Sequence, residues 1–289
     1  MPAVFVLIWS TGFVVAKYGL PYAPPLTFLS IRYALSLLCF LLWILLARVS
    51  WPRGGRQWLH LAVSGVLIHA GYLGGVWMAI KSGMGSGLAS LMVGLQPVLT
   101  ALWVSAMASS GGGQEKVTRR QWLGLALGLG GLVLVVSRKF VSTQEVTAFT
   151  LAAITIALLS ITAGTLYQKR FVQPADVRGA NAVQIAAAFV VTLPLALFET
   201  EAVNWTTQFI GAMAWSVLVL TLGGSSLLYM LIQRGAATAV TSLLYLVPPC
   251  TALMAWLLFA EPITAVTVLG TAITALGVSL VVRTAKPQV

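Results

Sequence analysis

The sequence predicts an all-α polytopic membrane protein, ten transmembrane helices arranged as two inverted five-helix repeats, and three observations carry that prediction. Apolar residues fill 59% of the 289 positions against 8% charged, and mean hydropathy is +0.95. With only 17 basic and 6 acidic side chains, a soluble globule of this length could not cover its surface with polar groups, whereas a lipid-facing exterior needs no such cover. The apolar residues come in runs long enough to cross a bilayer, and in hydrocarbon each backbone amide must be satisfied inside its own segment, which selects helices. The third observation is an internal repeat.

Charged or Gly/Pro-rich punctuation divides the chain into ten runs: 3–20, 26–47, 58–80, 84–107, 120–137, 147–168, 179–198, 208–232, 236–260 and 263–282. The first run starts almost at Met1, has no basic stretch before it and is followed by further spans, so it reads as a first membrane helix rather than a signal peptide. The net charge of +11 would suggest nucleic acid in a soluble protein, but here the basic residues lie between apolar runs. Arg48, Arg53, Arg56, Lys116, Arg119, Arg120, Lys169, Arg170, Arg178, Arg234, Arg283 and Lys286 fall on one side. Lys17, Lys81, Arg138 and Lys139 fall on the other, with Arg32 inside the second run. The positive-inside rule then puts both termini in the cytoplasm. Glu145, Glu199, Glu201 and Glu261 fall outside. Trp51, Trp58, Trp122 and Trp205 lie near run ends, as an interfacial belt does.

Shifting the chain by 152 residues aligns 71–97 with 223–249, and a shift of 146 aligns 115–136 with 261–282, together giving 16 identities in 49 positions. That compares with roughly one in ten for chance in so apolar a composition. The shift changes at the Ser/Gly-rich stretch near Ser109–Gly113, where an insertion is cheap. The halves are residues 1–140 and 141–289. Five spans per half is an odd number, so the second half enters the membrane from the opposite side. Inverted repeats are the recurrent architecture of secondary transporters, because two near-equivalent halves can exchange conformations around a midplane site.

Ten helices in a five-plus-five repeat, the segment WSTGFVVAK at 9–17, Arg32 early in the second span and PPCTALMAWLLFAEPIT at 248–264 together resemble the drug/metabolite transporter superfamily, EamA type, over essentially the whole chain. Within it, the first span, the aromatic-rich third span and the length are similar to the bacterial aromatic amino-acid exporter branch. The resemblance implies export of amino acids, chiefly aromatic, across a bacterial cytoplasmic membrane. The halves differ in one respect: Pro249 has Glu261 twelve residues on, whereas Pro97 has Ser109 there and Glu115 beyond the inserted stretch.

Several residues are candidates for transport. Pro97 in the fourth span and Pro248 and Pro249 in the ninth sit at repeat-equivalent places. Each proline removes an N–H and frees the carbonyl four residues earlier, either to receive cargo or to form the bend of a rocking, gating helix, or else only to kink it, and the recurrence favours a functional role. His69, Tyr72, Val76 and Trp77 share one stripe of the third span, with Gly71, Gly74 and Gly75 in neighbouring directions, and suit either a cargo pocket or helix packing. Trp9, Gln96, Tyr229 and Tyr245 are further polar-tipped groups at depth, and Gln96 must bond either to another helix or to cargo. Lys17 and Arg32 lie nearer the outer surface than the midplane, placed to snorkel or to form a cationic gate rim for a cargo carboxylate.

Other chemistry lacks its residues. No acid sits in mid-span for proton coupling, which leaves only His69, and no phosphate-binding loop is present. Cys39 and Cys250 lie far apart in apolar runs, and His60 and His69 have no acid nearby, so neither enzyme, metal nor cofactor chemistry is expected. The expected function is facilitated export of amino acids and related metabolites through a wide, mostly apolar pocket. A proton-coupled multidrug or metabolite exporter is the alternative, and a membrane-embedded enzyme or sensor scaffold the remote one. The expected partners are a small-molecule cargo and the lipid bilayer, with no nucleic acid, and a monomer suffices.

Overall fold

The computed structural model describes residues 2–109, 119–142, 145–233 and 246–282, and among these every regular element is helical. In chain order, α1 is Pro2–Gly19, α2 Pro25–Ala47 and α3 Gly55–Lys81. Helix α4 comes in two pieces, Ser86–Val93 and Gln96–Ser109, and is followed by α5, Arg119–Ser142. Next are α6, Ala148–Phe171, and α7, Val177–Ala196. Helix α8 runs through Thr207–Trp215, Ser216–Ser225 and Ser226–Gln233, α9 is Val247–Phe259 and α10 Ala265–Val282. Helices α1, α2, α3, α6, α7 and α8 are long and apolar enough to cross a membrane, while α4, α5, α9 and α10 carry shorter apolar stretches at the places of the remaining predicted spans.

The ends of these helices have identifiable causes. Pro25 opens α2, where a missing N–H is harmless, and the Glu199 carboxylate accepts from the amides of Leu26 and Thr27 at 3.0 and 2.7 Å. Thr147 and Thr150 form a reciprocal cap on α6, and the side chains of Asp176 and Thr206 cap α7 and α8. Helix α2 turns one face inward through Phe28, Arg32, Ser36, Phe40 and Ile44, spaced four apart, and presents Leu38, Leu42, Leu45 and Leu46 outward. Trp51, Trp58, Trp122 and Trp205 are all exposed, as belt residues should be.

Two departures from regular helix appear at repeat-equivalent positions. Val66–Gly71 in α3 and Ser216–Ser225 in α8 are π-helical, and a shift of 152 carries the first into the second. Wider turns of this kind leave the i→i−4 ladder locally unmet. Side chains answer for it: Tyr33 donates to the His69 carbonyl at 2.9 Å, and Thr221 donates to the Ser216 carbonyl at 2.9 Å.

Helix packing repeats when each helix is exchanged for the one five places away. Contact of α1 with α9 is matched by α6 with α4, α1 with α8 by α6 with α3, and α2 with α8 by α7 with α3. Helices α2 and α7, α4 and α9, and α5 and α10 pack on their own mates. The seam between α5 and α10 is antiparallel and depends on glycine. A Cβ on Gly131 would come within 2.5 Å of the Gly270 carbonyl oxygen, and one on Gly277 would collide with the Gly124 carbonyl and the Gly128 backbone. At the shift of 146, Gly131 is the mate of Gly277 and Gly124 of Gly270, so the two contacts are one contact seen twice.

This seam generates a matched test. Replacing Gly131 or Gly277 with leucine should destabilise the protein by about 1–3 kcal/mol or more through overpacking, whereas Gly130→Leu, where a Cβ meets nothing within 4 Å, should be nearly neutral. Thermal unfolding of the detergent-solubilised variants reads the difference.

Candidate functional site

A cavity opens between α1, α2, α3 and α8. Trp9, Gly12 and Phe13 of α1 form one wall, and Ile68, His69, Tyr72, Leu73, Val76 and Trp77 of α3 form a second. Arg32 of α2 and Leu220 and Ser225 of α8 complete the lining. Both π-helical segments contribute, so the irregular backbone lies against a cavity, where a membrane protein tolerates it. The Trp9 and Tyr72 rings are stacked, 6.2 Å between centroids and 3° between planes. In this conformation the remaining space holds about two waters, so the wide pocket expected from the sequence is narrow here, filled by its own aromatic rings.

Trp9, His69, Tyr72 and Trp77 are therefore brought together as one lining. His69 and Trp77 are buried, and the edge of the Tyr33 ring approaches His69 at 6.3 Å. The glycines of the same helix act on its other side: a Cβ on Gly75 would collide with Ala153 of α6, and one on Gly71 would lie 2.7 Å from the Ser160 hydroxyl.

Arg32 departs from its expected place at a gate rim. It is 4% exposed and points into the bundle, donating from Nε to Thr221 Oγ1 at 2.9 Å and lying 5.6 Å from the centre of the Trp77 ring. It cannot snorkel because it falls on the inward stripe of α2 with Phe28, Ser36 and Phe40. That four-residue spacing was legible in the sequence. The pairing with Thr221 was not, since it joins residues far apart in the chain.

Two other candidates lie elsewhere. Gln96 donates to Thr165 of α6 at 3.3 Å, which is the helix-to-helix alternative. Tyr229 is buried in a separate cluster with Leu61, Ala180 and Val183, because its turn of α8 faces α7 rather than the cavity. Tyr245 lies outside the described residues. Missing from the sequence reading were Phe13, Leu220 and Ser225 of the lining; the glycines recurring at Gly71 and Gly223 are the one signal that pointed to irregular backbone beside them.

Of the three prolines, Pro97 stands beside a break in its helix. Helix α4 is interrupted at Gly94 and Leu95, and Pro97, which has no N–H to give the Val93 carbonyl, stands at the start of the second piece. Pro248 and Pro249 lie in the first turn of α9. The two sites meet: a Cβ on Gly94 would lie 3.0 Å from the Pro248 ring.

At the end where α1 finishes and α4 begins, Lys17 Nζ binds Glu261 Oε1 at 2.6 Å, and the same oxygen accepts from the Ser86 amide and hydroxyl at 3.0 and 2.9 Å. Lys81 binds Glu201 at 2.6 Å nearby. Lys17 is thus a latch between α1, α4 and the loop after α9, half-buried rather than free at a rim. Burial pushes the Glu261 carboxyl up, but Lys17 and the Ser86 donors outweigh it and hold it below the ordinary carboxylate range.

Residues 3–137 and again 148–283 match the EamA-like transporter family. An uncharacterized transporter of Archaeoglobus fulgidus is 25% identical over 96% of this chain and 94% of its own. The uncharacterized inner membrane transporter YedA of Escherichia coli K12 is 27% identical over 84% of this chain and 76% of its own. A probable amino-acid metabolite efflux pump of Salmonella typhimurium is 29% identical over 66% of this chain and 60% of its own. A solved crystal structure covering 96% of this chain and 94% of its own shares the fold, with a TM-score of 0.69 at 17% identity.

The latch yields a pH dependence. A carboxyl with a lowered folded pKa adds stability that is complete above its unfolded pKa and is lost as pH falls through the folded value. Glu261→Gln should therefore lower the Tm by a few degrees at pH 7, and the gap to the unsubstituted protein should close as the pH is taken below about 4. Unfolding curves across that range check it; a gap independent of pH would deny the ion pair its part.

Proposed function

The chain belongs to the EamA-like transporter family, and from that membership we propose that it is a secondary transporter that exports amino acids, chiefly aromatic and other apolar ones, and related small metabolites. It is a multi-pass protein of a bacterial inner membrane. It works by alternating access between two inverted repeats of five helices, residues 1–140 and 141–289, with both termini in the cytoplasm. The cavity between α1, α2, α3 and α8 is the cargo site, and the observation that carries the reading is its wall of Trp9, Phe13, Tyr72 and Trp77 closed around His69 and Arg32. Rings offer flat apolar surface to an aromatic side chain, and the few polar groups orient it.

An inequality between mated helix pairs supports alternation. A Cβ on Gly12 of α1 would meet Leu220 of α8 at an ordinary 3.8 Å, whereas one on Gly164 of α6 would lie 2.7 Å from Ile68 of α3. At the shift of 152, Gly12 is the mate of Gly164 and Ile68 of Leu220. Both pairs are in contact, but α6 and α3 are the more tightly closed, and the opposite state follows when the halves exchange roles. Across the tighter pair, Gln184 donates to Ser64 and to Gln168 at 2.9 and 3.0 Å. Gln184 is the mate of Arg32. Transport runs down the cargo gradient, because no acid in the chain stands in mid-span to read a proton inside the membrane.

Counterflow in proteoliposomes tests this reading. Vesicles loaded with unlabelled phenylalanine should take up labelled phenylalanine without a pH gradient. Trp9→Ala and Tyr72→Ala should each slow uptake about tenfold or more, from lost ring contact and burial. Uptake no greater than in empty vesicles for every amino acid and related metabolite tried would reject it.

A further inference from the structure

Arg32 places a cation inside the cavity with no acid bonded to it among the described residues. A guanidinium stays charged in proteins. This one is 4% exposed, its Nε has only a neutral hydroxyl, and its Nη1 has no partner among the described residues. The chain has six acids. Glu199, Glu201 and Glu261 are held at helix ends by backbone amides or lysines, and Asp176 is paired with Arg178. Glu145 lies in the connection before α6, and Glu115 in the connection between α4 and α5, outside the described residues. The undescribed residues 234–245 add Arg234 but no acid. Removing one partner of a buried ion pair normally leaves a strongly unfavourable charge, and Arg32 stands in that condition when the cavity is empty.

We propose that Arg32 is the receptor for a cargo carboxylate, and that the preferred cargo is an aromatic or apolar carboxylate of net charge −1, such as an N-acylated or deaminated amino acid, over the zwitterionic amino acid itself. The inference rests on the cavity being the transport site. A monoanion makes the closed complex electrically neutral, whereas a zwitterion leaves the charge of Arg32 unbalanced and brings its own ammonium, one carbon from the carboxylate, close to the same cation. The ring wall of Trp9, Tyr72 and Trp77 takes the apolar part. Such a cargo also supplies the driving force: an anion leaving a cell that is negative inside moves down the membrane potential, so export needs neither ATP nor a coupling acid.

The test compares phenylalanine, N-acetylphenylalanine, 3-phenylpropionate and phenethylamine in proteoliposomes of the full chain, with and without an imposed potential, alongside thermal unfolding in detergent. The two acids should exchange about tenfold or more faster than phenylalanine. Their accumulation ratio should respond to potential by roughly tenfold per 60 mV, as one moving charge requires. Arg32→Gln should abolish that preference and the ligand-induced rise in Tm while raising the Tm of the empty protein, because it removes an unpaired buried charge; a merely structural arginine would lower it. Arg32→Lys should keep the preference for anions at weaker binding. Phenylalanine moving as fast as the acids and indifferent to potential, or Arg32→Gln transporting unchanged, would overturn the charge assignment and leave the transporter reading standing. No flux of any of the four, with no shift in Tm, would remove both.

Discussion

Hydrocarbon offers no hydrogen-bond partner and no solvation for charge, and the rest of this structure follows from how the chain meets that constraint. Backbone groups are closed within helices wherever lipid is the neighbour. Among the described residues, the two π-helical segments contribute to the interior cavity. The π-helical turns of α3 and α8 face the cavity, with Tyr33 and Thr221 donating to carbonyls they disturb. The break in α4 is pressed against the proline turn of α9. Several of the places where the helical ladder is weakest therefore lie against one another or against the cavity.

Charge obeys the same constraint with one exception. Glu199 serves the N-terminus of α2, Glu261 serves that of α4 together with Lys17, and Lys81 pairs with Glu201. These contacts gather where α1 and α3 end and α2 and α4 begin, and they tie that end of the bundle together. Among the described residues, Arg32 is carried inside without an acid. A buried unpaired cation opposes stability, so its presence in the one cavity wall that also carries Trp9, His69 and Tyr72 is best understood as a feature of function, where proteins accept local instability.

The near-symmetry of the packing gives meaning to its exceptions. Gly131 against Gly270 and Gly277 against Gly124 are equal contacts, so the α5–α10 seam is alike on both sides. Gly12 with Leu220 and Gly164 with Ile68 are unequal, so α6 and α3 pack more closely than their mates α1 and α8. Mated residues have also diverged in chemistry. Arg32 faces the cavity, whereas Gln184 joins Ser64 and Gln168 in a hydrogen-bonded network. At this pair of mated positions the chain thus carries one charge rather than two.

The sequence by itself determined the helical class, the positions of the helices, the register of the repeat and the stripe of α3 that holds His69, Tyr72 and Trp77. Each of these depends on local periodicity or on comparing one stretch of chain with another. The inward turn of Arg32 was also within reach, since Phe28, Ser36 and Phe40 share its spacing. Tertiary structure decided the rest: that Thr221 receives Arg32, that Gln96 bonds α6, that Tyr229 packs toward α7, and that Lys17 closes on Glu261. All of these join residues distant in the chain, and in an almost uniformly apolar sequence hydrophobicity does not distinguish the face of a helix that meets lipid from the face that meets another helix. Only the packed bundle makes that distinction, because there shape and the few polar groups, rather than burial from water, choose the partners.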